Sequence, residues 1–224
     1  MFQPHQFQPT LHGVPKVKIT QECAEDMWHL VQVVPTEVGW FCVCHEEDDG
    51  NIVLSEVLLP GQKCTSVETE FSIEGMEELA NEILDEDNAA GIDTEDEKFR
   101  YNHLNCWNHS HGQMGVGPSG QDDKQMVEFC KYWGDSYSFF LRGIFNQKGD
   151  VQFTVYYKVS KAWRKICDVP WEVCGTVNPT RREYWKDLVK QRVNKPDPKA
   201  ASVSNYGAGA YLYGGRDKRW SRRI

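Results

Sequence analysis

The chain has 224 residues, with 33 Asp/Glu against 25 Lys/Arg for a net charge of −8, and eight cysteines. It contains no apolar run of about 18 residues and no apolar stretch at its N-terminus, which predicts neither a membrane span nor a secretory signal. The cysteines are too sparse for a disulfide scaffold and suit a reducing, cytoplasmic setting.

Residues 1–15 are polar and form a loose N-terminal arm, followed by a short strand at 16–20. Residues 21–34 place Cys23, Met27, Leu30, Val31 and Val34 at helical spacing. Strands are expected at 37–44 and 51–58, joined by an acidic turn at 45–50. Residues 74–84 form an amphipathic helix with Met76, Leu79, Ala80 and Ile83 on one side, and the acidic run 85–97 reads as a solvated loop. The aromatic content of 100–109 suggests a strand, weakened by Asn102, Asn105 and Asn108. After a Gly/Pro-rich loop come a helix at 122–133, a hairpin of 137–145 with 151–159, and a last helix at 181–193. This alternation predicts an α/β fold, a mixed β-sheet flanked by helices, within one domain spanning 16–193. Residues 194–224 form a basic tail. From Arg181 to the C-terminus the chain carries 12 Lys/Arg and 4 Asp/Glu, a net of +8, which leaves −16 on the rest. Such a tail suits an acidic or nucleic-acid partner.

The densest chemistry lies in His109-Ser110-His111, with Ser119 and Asp122 following as H-x-H-x7-S-x2-D. On a strand, side chains alternate faces, so His109 and His111 point the same way and Ser110 points away. The loop between them and the next helix is long enough to fold Asp122, in that helix's first turn, back over the two imidazoles. Two histidines and a carboxylate are the ligand types of a catalytic zinc site with one open position. Ser119-x-x-Asp122 is equally an ordinary helix cap, and the two roles are compatible.

Hydrolysis at such a site also needs a base. Glu37 follows Pro35 and opens an apolar, β-branched and aromatic run. A carboxylate at the mouth of a buried strand is poorly solvated, which raises its pKa toward the range a general base needs. Cys42-x-Cys44 and Cys167-x6-Cys174 lack the spacing of a zinc knuckle and read as buried apolar thiols. Cys106, at odd separation from His109, should face away from the site.

Together P-x-E-V-G-x-F and H-S-H-x7-S-x2-D resemble the signature of the JAB/MPN family of zinc metallopeptidases, called JAMM, over roughly residues 17–159. The resemblance implies the family's cytidine deaminase-like three-layer fold. It implies one zinc ion held by His109, His111 and Asp122, Glu37 as acid/base, and Ser119 as a donor to the oxyanion. The implied activity is hydrolysis of peptide or isopeptide bonds, with ubiquitin-like proteins ending in Gly-Gly as one substrate class. Many members have Pro after the second histidine, where this chain has Gly112. The alternative is a catalytically idle scaffold recruited to an assembly through its tail. A zinc deaminase is disfavoured because no P-C-x2-C accompanies an H-x-E. Tyr211-Leu212-Tyr213-Gly214-Gly215 resembles a double-glycine terminus, which raises self-processing at Gly215. The acidic run 85–97 and the 114–118 loop are the expected determinants of substrate choice.

Overall fold

The computed structural model describes residues 14–65, 68–175 and 182–194. The arm before residue 14, the tail beyond 194 and the Gly215 segment lie outside the described residues. The elements run β1 (Val17–Thr20), α1 (Gln21–Val33), β2 (Gly39–Glu46), β3 (Ile52–Leu58), β4 (Gln62–Cys64), β5 (Thr69–Phe71) and α2 (Ile73–Ala89). A 3-10 turn (Arg100–His103) precedes β6 (Cys106–Ser110), α3 (Gly120–Tyr132), β7 (Phe139–Phe145), β8 (Val151–Val159), β9 (Ala162–Ile166), β10 (Trp171–Cys174) and α4 (Arg182–Arg192).

Eight strands form one mixed sheet in the order β10-β1-β3-β2-β6-β7-β8-β9, and β4 and β5 form a separate two-stranded ribbon. The middle of the sheet is its driest part. All seven residues of β7 and all five of β6 are buried. Alternation then sorts side chains onto two faces. Trp40, Cys42, Cys106, Leu141 and Val155 join a core with Met27 and Leu30 of α1 and Trp185 of α4. Phe41, Trp107, Phe140 and Tyr156 join a second core with Leu79 and Ile83 of α2 and Met126 and Phe129 of α3. The expected α/β class, a mixed sheet with helices on both faces, is therefore what the chain forms.

Local capping fixes where helices start. The Thr20 and Ser72 hydroxyls accept from the backbone N–H groups of Cys23 and Gly75 at the heads of α1 and α2. Two expectations are corrected by non-local charge. The acidic run does not begin as a loop at 85, because α2 continues to Ala89, with Asp87 buried against the Arg100 guanidinium at 2.6 Å. Arg100 also bonds Glu56 at 2.7 Å and Glu86 at 2.8 Å. That three-carboxylate grip holds residues 100–103 in a tight turn, so the strand starts only at Cys106 rather than at 100. Cys167 and Cys174 are exposed rather than buried, since both sit beside the sheet's outer strands, β9 and β10. Those two short polar strands, and the three-residue β4 and β5, carry too little periodicity to have been expected.

Candidate metal centre

His109 and His111 leave the same face of β6, as period-two geometry requires. Ser110 Oγ accepts from Val38 N–H at 3.2 Å, while its own N–H donates to Val38 O at 2.9 Å. Glu37 N–H donates to Thr65 O at 2.8 Å. The backbone carrying Glu37 is thus gripped from the histidine strand on one side and the β4–β5 ribbon on the other. Gln62, buried behind it, accepts from Gly39 N–H at 2.8 Å and donates to Gly39 O at 2.7 Å through one amide.

The third donor arrives from α3. Ser119 and Asp122 form a reciprocal capping box: Asp122 N–H donates to Ser119 Oγ at 3.2 Å, and Ser119 N–H donates to Asp122 Oδ2 at 2.6 Å. Capping occupies Oδ2 and turns Oδ1 toward His109, whose Nε2 lies 3.1 Å away. His111 Nε2 is 3.5 Å from Oδ2 and 2.9 Å from His109 Nε2. His109, His111 and Asp122 are all buried, and among the described residues they form the one such cluster of potential ligands.

Their spacing fits a small cation. A tetrahedral zinc with bonds of about 2.0–2.1 Å needs donor atoms roughly 3.3 Å apart; the two Nε2 atoms are 2.9 Å apart, His109 Nε2 is 3.1 Å from Asp122 Oδ1, and one donor atom from each of the three residues lies within 4.8 Å of the others. The protonation pattern agrees. His111 Nδ1 sits 2.7 Å from Gly115 O, and a carbonyl can only accept. That bond assigns the proton to Nδ1 and leaves a lone pair on Nε2, as a ligand requires. His109 Nδ1 is buried with no partner among the described residues. Its ring orientation comes instead from stacking on Trp107, with centroids 4.6 Å apart and planes at 20°. Gly112 adopts φ +52, which a proline ring forbids. That conformation turns the chain into the loop that returns Gly115 O to His111.

The three donors open into a cavity of about 490 Å³, also lined by Glu37, Glu68, Thr69, Met114, Gly117, Ser119 and Gln125. All five residues singled out from sequence, Glu37, His109, His111, Ser119 and Asp122, face this one space. Of the expected substrate determinants, the 114–118 loop lines it through Met114, Gly115 and Gly117, whereas no residue of 85–97 does. Sequence reading missed Thr69, because its strand β5 is only three residues long, and Glu68 just before it. It also missed Trp107, although that residue lies two before His109 on the same face.

Electrostatics follow from burial and proximity. Burial pushes the Glu37 carboxyl up to about 6, opposed by His111 and assisted by Asp122 and Glu68. Burial also pushes His109 below the ordinary imidazole value against the pull of Asp122. For His111 burial acts the same way, but hydrogen bonds to Asp122 and Gly115 outweigh it and raise the ring. Burial opposes ionisation of Asp122 too, yet its bonds with both imidazoles hold it well below the usual carboxylate range. The cavity therefore combines one ionised carboxylate among the three donors with one carboxyl that titrates near neutrality.

No protein-family model matches the chain, and no curated protein matches its sequence. No helix among the described residues is long and apolar enough to cross a membrane.

Proposed function

We propose that this chain is a zinc-dependent hydrolase of peptide or isopeptide bonds, of JAB/MPN type, with the metal held by His109, His111 and Asp122. The observation that carries the reading is the convergence of those three donors with a separate, poorly solvated carboxyl, Glu37, on one cavity. A bound zinc ion supplies Lewis acidity and makes water at the site a nucleophile near neutral pH.

The chain's own groups account for the remainder. Glu37 sits at the strand mouth with its backbone fixed, and burial tunes its carboxyl for proton exchange near neutrality. In this role it takes the proton from the attacking water and returns it to the departing amine nitrogen. Ser119 Oγ uses a lone pair to cap α3, so its O–H remains able to donate to the oxygen that gains negative charge. Met114, Gly115 and Gly117 wall the cavity with an apolar side chain and bare backbone, which suits an extended chain lying close to the loop.

Two measurements on the full chain test this: the zinc-to-protein ratio after dialysis, and cleavage of ubiquitin-like isopeptide and linear peptide substrates. A ratio near one with metal-dependent cleavage is expected. A ratio near zero, or cleavage that survives removal of zinc by chelation, overturns it.

A further inference from the structure

We infer that Asp123, tied to Arg142 and Lys165, is a positioning residue that sets the metal-facing carboxylate of Asp122 relative to the sheet. The inference rests on the metal-centre reading above and concerns what holds that centre in register.

The capping box cannot do this alone. Both of its partners, Ser119 and Asp122, lie at the same helix start, so it orients the carboxylate relative to α3 and not α3 relative to β6. The rest of the face that α3 turns to the sheet is apolar, through Met126, Phe129 and Cys130. Such contacts are non-directional and leave rotation of the helix start weakly determined. Asp123 supplies the direction. Its Oδ1 accepts from Arg142 Nη1 at 2.9 Å and from Lys165 Nζ at 3.0 Å, so one carboxylate oxygen is held from β7 and from β9.

The cations are themselves fixed. Arg142 is wholly buried and lies opposite Trp107 across the β6–β7 pairing, one strand from the histidines. Its guanidinium packs 5.7 Å over the Tyr156 ring, and Lys165 approaches the same ring at 5.8 Å. Arg142 Nε and Nη2 have no partner among the described residues, so Asp123 carries the burden of balancing that buried charge. Successive helical residues diverge by about 100°. Asp122 can therefore face the imidazoles while Asp123 faces the cations, and pinning one fixes the azimuth of the other.

The test is zinc affinity, measured on the full chain by competition with a chromophoric chelator, alongside the melting curve of the metal-free protein. Asp123→Asn should weaken zinc binding about 10-fold or more, in line with other groups that orient metal ligands. Lys165→Met should weaken it by a smaller factor with an unchanged metal-free melting curve, and Asp123→Glu should recover part of the loss. A wild-type zinc affinity in folded Asp123→Asn overturns the inference while leaving the metal centre standing. Should Asp123→Asn not fold, wild-type affinity in Lys165→Met overturns it equally. If the unaltered chain binds zinc no better than His109→Ala does, the metal centre itself fails, and that result is separable from the other two.

Discussion

The two sides of β6 are equally buried and chemically opposite. On the α1 side, Asn108 donates to the sulfurs of Cys42 and Cys106, both at 3.3 Å, and Ser110 accepts from Val38. Both polar side chains that β6 itself turns to that face are answered by a neighbour, although Trp40 Nε1 on the adjoining strand has no partner among the described residues. On the α3 side, two Nε2 atoms stand 2.9 Å apart, and His109 Nδ1 and Trp107 Nε1 have no partner among the described residues. Burial does not separate these environments; internal satisfaction does. Native interiors rarely leave polar atoms unpaired, and the exceptions concentrate where a ligand or a reaction supplies the missing half. Six consecutive residues, Cys106 to His111, thus read as structure on one parity and as a candidate site on the other.

The largest expected break of that contrast comes from the open side. Asp122→Ala should take bound zinc from about one ion per chain to near zero, and cleavage to background, by elemental analysis and substrate assay. Glu37→Gln should split the two properties: zinc stays, while kcat falls by about 10²- to 10⁴-fold. In the unaltered protein the rate should drop on the acid side as Glu37 takes up its proton, the metal-free carboxyl being raised to about 6. A bound cation moves that drop lower, because positive charge favours the carboxylate.

The closed side should respond in stability alone. A Cβ at Gly143 would stand 2.2 Å from Asn108 Oδ1 and 2.8 Å from Phe153. Gly143→Ala should therefore cost about 1–3 kcal/mol or more by denaturant unfolding, with zinc affinity of the folded fraction unchanged. A loss of zinc affinity in that variant would show the two faces to be coupled. The smallest effect is again at Glu37, now as stability. Its folded pKa is raised, so its favourable contribution is complete below the ordinary carboxyl value and is lost as pH rises through about 6. Metal-free Glu37→Gln should gain up to about 2 kcal/mol over the unaltered chain above pH 6 and nothing near pH 4.

Much of this organisation was legible because it is local. Period-two alternation placed His109 with His111 and turned Cys106 away. Helical spacing found α1 to within a residue, and Ser119-x-x-Asp122 announced the cap of α3. What escaped depends on partners far along the chain. The extension of α2 to Ala89 and the turn at Arg100 are set by Asp87 meeting Arg100. Gln62 clamps Gly39 across 23 positions, and Lys165 reaches Asp123 across 42. Apart from Gly39, none of these residues belongs to a repeat or motif, so nothing marks them until folding sets the partner beside them. The edge strands β9 and β10 were hidden for a related reason, since one open side removes the apolar alternation that marks a strand.

The contact at the end of α4 has a topological consequence. Asn194 N–H donates to Gln62 O at 2.8 Å, and its side-chain oxygen accepts from Cys64 N–H at 2.7 Å. Cys64 pairs with Thr69, a wall of the cavity. The chain thus leaves the described domain within two strands of the cleft. Whatever sequence follows Asn194 is covalently tethered there, and for short tethers the effective concentration is of the order of millimolar. Were any part of residues 195–224 to bind the cleft, a ligand added in solution would compete against that local concentration, and affinities measured with and without those residues would differ.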